Sequence, residues 1–195
     1  MSSTTRERIV DEAMRLFSDH GYKATTIARI EAASGLTPGA GGVYHHFQSK
    51  EAVLDAGIDR QLKRLQGLGA VRQVFGSLGD LRAELTLIAR YILAELDDEA
   101  QLIRLLALDA RRGPAGLSTA AQRLTDASLA GFASWIAERA DPPLTAGEAS
   151  ALASAGLGSL LSSRLLRDVL GVTPAVDDAA FVDAWVHMMH RALSA

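Results

Sequence analysis

Two groups of side chains in this sequence carry enough chemistry to suggest a task. Thr26, Arg29, Thr37, Tyr44, His45 and Lys50 place hydroxyls and cations within one short stretch near the N-terminus. Groups of that kind donate to phosphate oxygens, and the longer cations also reach base edges in a groove. Asp183, His187 and His190 would share one narrow face of a helix at i, i+4 and i+7, a donor set that suits a divalent metal. A polar strip at a solvent or subunit edge explains the same three residues more simply, and no metal or cofactor is expected. Cysteine is absent, which removes disulfides, thiolate nucleophiles and cysteine-ligated zinc together. There is no Glu-x-x-His metal pair, no glycine-rich phosphate loop after a strand and no evident Ser/His/Asp set. An all-α enzyme and a partner-docking helical protein are therefore the weaker rivals, and no enzyme activity is expected.

The elements that must hold these groups are all helical. Apolar residues recur at helical spacing almost throughout, while alternating strand-like runs are hard to find. Thr4 followed by Glu7 has the form of a capping box. The helix it opens would bury Ile9, Ala13, Leu16 and Phe17 before Gly21 ends it. A second short helix is predicted from Thr25 or Thr26, with Ile27, Ile30 and Ala33 inward and Gly35 as its stop. A third would begin at Thr37 as cap with Pro38 in its first turn. Ser49 then caps a longer helix, 49–66, through Val53, Leu54, Ile58, Leu62 and Leu65. The glycines between 67 and 79 suggest a loose junction, and further helices fit 78–97, 98–112, 117–140, 146–171 and 177–194.

Two short helices joined by a tight glycine turn, with a polar and aromatic segment after them, form the helix-turn-helix pattern whose second helix enters the major groove. Ile9 to Phe17, Gly21-Tyr22, Ala24-Thr25-Thr26-Ile27, Ala32 to Leu36, Val43-Tyr44-His45-His46-Phe47 and Ser49-Lys50-Glu51 closely resemble the TetR family. The resemblance covers the first quarter to third of the chain. It implies an all-α protein with a three-helix DNA-binding domain at 1–50 and a helical ligand-binding and dimerisation domain at 51–195. It also implies a repressor that holds double-stranded operator DNA as a homodimer and lets go when a small molecule binds. The positions carried over are Thr26, Arg29, Thr37, Pro38, Gly39, Ala40, Gly41, Tyr44 and His45 at the DNA, with Lys50 as a phosphate clamp. Phe47 is expected in the core.

The sequence departs from that pattern in two places. Gly35 and Tyr44 are two residues farther apart than is usual in the family, and the extra residues make the run Gly39-Ala40-Gly41-Gly42. Each Gly inside a helix costs about 1 kcal/mol relative to Ala, so a weak recognition helix is expected. Residues 38–43 also hold no Arg, Lys, Asn or Gln, which shifts base reading toward Arg29, backbone contacts and DNA shape, with Arg6 or Arg8 in support. The second departure is Glu31, at a position where the fold normally wants a small residue. It predicts a wider spacing of the two helices.

Farther on, Ser154, Gly158 and Ser162 form a stripe of small residues that would let two helices approach closely. The last helix, with Trp185 and Met189, is apolar on more than one side. These five are expected at the dimer interface, with an intrachain helix pair as the alternative reading. Tyr91, Arg104, Asp109, Phe132 and Trp135 are candidates for the effector site, with packing of the aromatic ones as the simpler reading. The net charge of -3 conceals only a mild asymmetry: nine Lys/Arg against eight Asp/Glu in 1–66, eleven against fifteen beyond. Charge alone does not point to DNA. Neither an export signal nor a membrane span is indicated, and a cytoplasmic location is expected.

Overall fold

In this computed structural model the structure describes residues 4–60, 63, 79–109 and 115–194, and all regular structure among them is helical. The chain forms two compact units: residues 1–64 with 101–124, and residues 65–100 with 125–195. Packing thus runs past the break expected after residue 50.

In the first unit, α1 spans Thr5–His20 and begins with the capping box that the sequence suggests: Glu7 N–H donates to Thr4 Oγ1 (3.2 Å) and Thr4 N–H to Glu7 Oε2 (2.7 Å). Helix α2, Ile27–Ala33, starts at Thr26, whose hydroxyl oxygen accepts from Arg29 N–H. Helix α3 occupies residues 50–60, with Ser49 Oγ accepting from Ala52 N–H at its start. Ile9, Ala13, Phe17, Ile30, Val43, Val53, Leu54 and Ile58 meet in one core. Leu102 and Leu105 of α5, Ala100–Asp109, complete it. Each of the larger side chains among them contributes on the order of 1.5–3 kcal/mol by leaving water. Where α1 passes α3, Gly57 leaves room for Met14: a Cβ there would lie 2.6 Å from its Sδ.

The expected third helix is absent. Residues 38–41 form turns and only Gly42–His45 closes into a 3₁₀ helix, with no side-chain cap. Thr37 and Pro38 therefore do not open an α-helix. Gly39 and Gly41 both adopt left-handed backbone, φ +78° and +79°, a conformation that costs other residues about 1–2 kcal/mol and breaks any continuous right-handed helix.

In the second unit α4, Leu81–Asp98, packs against α7, Ala146–Arg164, and α8, Asp178–Leu193. Helix α6, Ala115–Arg139, brings Phe132, Trp135 and Ile136 into the same core. The Phe132 ring stacks on Trp135 (centroids 5.7 Å apart) and on Trp185 (6.2 Å), and Trp185 Nε1–H donates to Gly156 O at 2.9 Å. Helix α7 does not run to residue 171 in one form, since it passes at Leu165 into a π-helical turn that ends at Val169. Arg164 is its last α-helical residue. That side chain is 4% exposed, binds Asp97 through Nε and Nη2 (2.8 and 3.0 Å), and binds both oxygens of Asp178 (2.7 Å each). Hydrogen bonds donated to Asp178 hold the guanidinium firmly protonated against its burial, and in return Arg164 keeps the Asp178 carboxyl below its ordinary range.

Candidate nucleic-acid interface

The site is built outward from Tyr22 and Thr25, both buried. Tyr22 packs its ring on Phe17, with centroids 5.0 Å apart. The Thr25 hydroxyl lies within hydrogen-bonding reach of two carbonyls, Leu16 O at 3.0 Å and Gly21 O at 2.9 Å, which ties the α1–α2 connection to the end of α1. Lys50 closes the same framework from the other side. Its ammonium donates to Tyr22 O and Thr25 O, 2.9 Å each, and sits 4.2 Å from the centre of the Tyr22 ring. Burial lowers its pKa, while the nearby Glu51 acts in the opposite direction.

Lys50 thus differs from the outward phosphate clamp implied by the family resemblance. Two of its three donors hold backbone carbonyls, so its structural task is to lock α3 onto the turn before α2. Thr25 was likewise missed as a framework residue. Sequence alone shows a hydroxyl beside a helix cap, not the carbonyl nine residues earlier that it meets.

On this framework the expected contact residues lie outward. Thr26, Arg29, Thr37, Pro38, Gly39, Ala40 and His45 are exposed, and Tyr44 is 57% exposed despite its size. Gly41 is half-buried, with the Tyr44 ring beside it. The Thr26 hydroxyl oxygen serves the α2 cap, which leaves its hydrogen to donate. Arg29 makes one long contact, Nη1 to Ala24 O at 3.5 Å, and is otherwise held loosely. Phe47 is in the core as expected, and the Arg6 guanidinium lies 4.6 Å from the centre of its ring. Arg8 bonds Thr5 Oγ1 within its own helix.

Glu31 has a role the sequence did not reveal. The side chain is fully buried, and its carboxylate turns toward the glycine-rich segment: Gly39 N–H donates to Oε2 at 2.6 Å and Val43 N–H to Oε1 at 3.3 Å. Rather than acting as a spacer between helices, it holds both ends of the loop that replaces the recognition helix. The available signal was a carboxylate in an apolar register of α2 beside an unusual glycine run.

Among the dimer candidates, Ser154, Gly158 and Ser162 are exposed along α7. Trp185 and Met189 are not on such a face. They are 3% and 0% exposed within their own unit and belong to its core, because α8 turns that side toward α4 and α7. Among the effector candidates, Phe132 and Trp135 are core residues of the second unit with their rings on each other, and Tyr91 is half-buried in the same unit. Arg104 is exposed on the first unit, and the side chain of Asp109 lies outside the described residues. Asp183 and His187 are exposed, and no set of metal-binding side chains converges among the described residues.

The N-terminal segment that carries this face is similar to known proteins. Residues 9–56 match the model of bacterial regulatory proteins of the tetR family. The HTH-type transcriptional repressor Rv1474c of Mycobacterium tuberculosis is 32% identical over 78 residues, 40% of this chain and 41% of that protein. The matched part spans about two fifths of the length of such curated relatives. Solved structures extend the likeness in fold to nearly the whole chain. A TetR-family regulator from Mesorhizobium loti has a TM-score of 0.76 at 22% identity, covering 98% of this chain and 97% of that one. The regulator FadR of Bacillus subtilis, solved with stearoyl-CoA, has a TM-score of 0.70 at 14% identity, covering 93% and 96%.

Proposed function

We propose that this chain is a DNA-binding transcription regulator of the TetR family, a repressor that grips a palindromic operator as a homodimer and is released by a small molecule. One observation carries the reading. A rigid framework of Tyr22, Thr25 and Lys50 supports an outward run of Thr26, Arg29, Thr37–Ala40, Tyr44 and His45. Hydroxyls, a guanidinium and an amphipathic ring held on short elements suit a sugar-phosphate backbone and the groove beside it. With no base-reading side chain in residues 38–43, Arg29 supplies the direct reading and the glycine loop supplies fit.

The exposed small face of α7, Ser154, Gly158 and Ser162, supports pairing with a second copy, since small residues let helices pack closely. Two copies are needed because the half-sites of such operators lie about 34–36 Å apart. A ligand that binds better to a dimer whose reading elements have the wrong spacing releases the DNA, and its natural place is the helical second unit. The stearoyl-CoA complex of a regulator of similar fold supports a small-molecule effector. Among the described residues no helix is long and apolar enough to cross a membrane.

The test is selection of bound sequences from random duplex DNA by the full chain. The expected result is a palindrome with half-sites one helical turn apart, and in R29A a loss of preference at the positions Arg29 reads. Recovery of unrelated sequences with no enrichment contradicts the proposal.

A further inference from the structure

We infer that Glu31 is the positioning residue for DNA specificity in this chain, acting through the loop 39–43 in place of a recognition helix. The inference rests on the regulator reading above. A helix fixes its groove-facing groups through its own backbone ladder. That ladder is missing here, because Gly39 and Gly41 are left-handed and only residues 42–45 form a 3₁₀ turn. A four-residue segment with three glycines would lose much conformational entropy on ordering. The Glu31 carboxylate supplies the missing constraint from beneath: one oxygen takes the amide of Gly39 and the other that of Val43, with the side chain wholly inside the core.

The rest of the loop is tied to these two points. Ala40 N–H donates to Thr37 O (3.2 Å), Tyr44 N–H to Gly41 O (3.0 Å), and His46 and Phe47 N–H both to Val43 O (2.9 and 3.0 Å). Gly42 lies against Leu36, where a Cβ would come 3.2 Å from Leu36 Cδ1. Leu36 N–H in turn donates to the backbone carbonyl of Glu31 at 2.8 Å. One residue thus anchors the loop through its carboxylate and the turn before it through its carbonyl. Thr37, Pro38, Ala40 and Tyr44, the exposed residues over this anchor, take their positions from it. The glycine run and the carboxylate that replaces a small residue in α2 form a matched pair: the loop presents amides where the acid needs donors.

The conservative variant E31Q keeps the volume but turns one acceptor into a donor, so one of the two amides loses its partner. Two readouts on full-length protein test the inference. In amide hydrogen exchange, Gly39 or Val43 loses protection in E31Q while Phe17 and Ile58 keep theirs. In binding at fixed salt, the ratio of affinity for the selected operator over random duplex falls by about tenfold, the scale of one lost base-pair preference, with the salt slope unchanged. G57A, which strains the same unit without touching the loop, leaves that ratio unaltered. A wild-type protein that discriminates no sequence overturns the regulator reading itself. A wild type that discriminates, with E31Q retaining the same ratio or weakening on all DNA alike, overturns this inference alone.

Discussion

Glu31 in the first unit and Arg164 in the second are both 3% exposed or less, yet the two units surround their buried charges differently. Arg164 meets opposite charges, the carboxylates of Asp97 and Asp178, and joins the ends of three helices that are already regular. Glu31 meets backbone amides, and the segment that it holds has almost no regular structure of its own. An ion pair between helix ends adds strength to an architecture that apolar packing defines. A carboxylate under a glycine loop defines the architecture itself, since the loop has little side-chain mass to pack. Removing the first therefore changes stability, and removing the second changes shape.

The largest expected effect is in the second unit. R164A leaves Asp178 without its buried partner, while Asp97 keeps Arg167 at 2.6 Å. Breaking a fully buried pair costs about 3–5 kcal/mol, and exposure of the Asp97 and Asp178 side chains at 40% and 60% brings the expectation to about 2–3 kcal/mol. Both tryptophans, Trp135 and Trp185, lie in that unit, so urea unfolding followed by their fluorescence reads the loss directly. The ranking of the two charges fails if E31Q, which keeps its volume, lowers that same transition as much as R164A does.

A smaller effect is expected for G57A in the first unit. The new methyl would sit 2.6 Å from Met14 Sδ and 2.9 Å from its Cγ, and overpacking of this kind costs about 1–3 kcal/mol. Circular dichroism should show the early loss of helix while tryptophan fluorescence holds. Equal shifts in both signals would mean that the two units unfold as one, and the comparison between them would lose its meaning for stability.

The smallest is a pH effect. Arg164 lowers the Asp178 pKa from its ordinary 3.8, so the stabilisation is fully present above about pH 4 and fades as acid takes the carboxyl through its depressed folded-state value. The fluorescence-detected stability of the second unit should fall below about pH 4 more steeply in wild type than in R164A. Parallel curves would remove Asp178 from the account.

Most of the helical frame was legible in the sequence because its determinants are local. Thr4 with Glu7, Thr26 and Ser49 announce helix starts within three residues of the groups they cap, and Ile9, Ala13 and Phe17 mark a buried face by spacing alone. What was not legible depends on distant partners. Glu31 meets amides eight and twelve residues on, and Lys50 meets carbonyls twenty-eight and twenty-five residues back. Spacing also could not tell which apolar side of α8 faces inward, and so Trp185 and Met189 were placed at a subunit interface instead of in the core. The missing recognition helix lies between these cases. Its glycines signalled weakness, but not that a buried acid would take over the ordering.

The central claim is that the outward face over the Tyr22–Thr25–Lys50 framework grips nucleic acid. Its most direct test is the affinity of the full-length protein for duplex DNA across a salt series. The account predicts a linear fall of log K with log salt, by about 0.9 for each phosphate neutralised, and an affinity lowered at every salt concentration, with the slope unchanged, when Thr26 and Tyr44 are replaced together by Val and Phe. An affinity that does not change with salt, or a double variant that binds as tightly as the wild type, would contradict it.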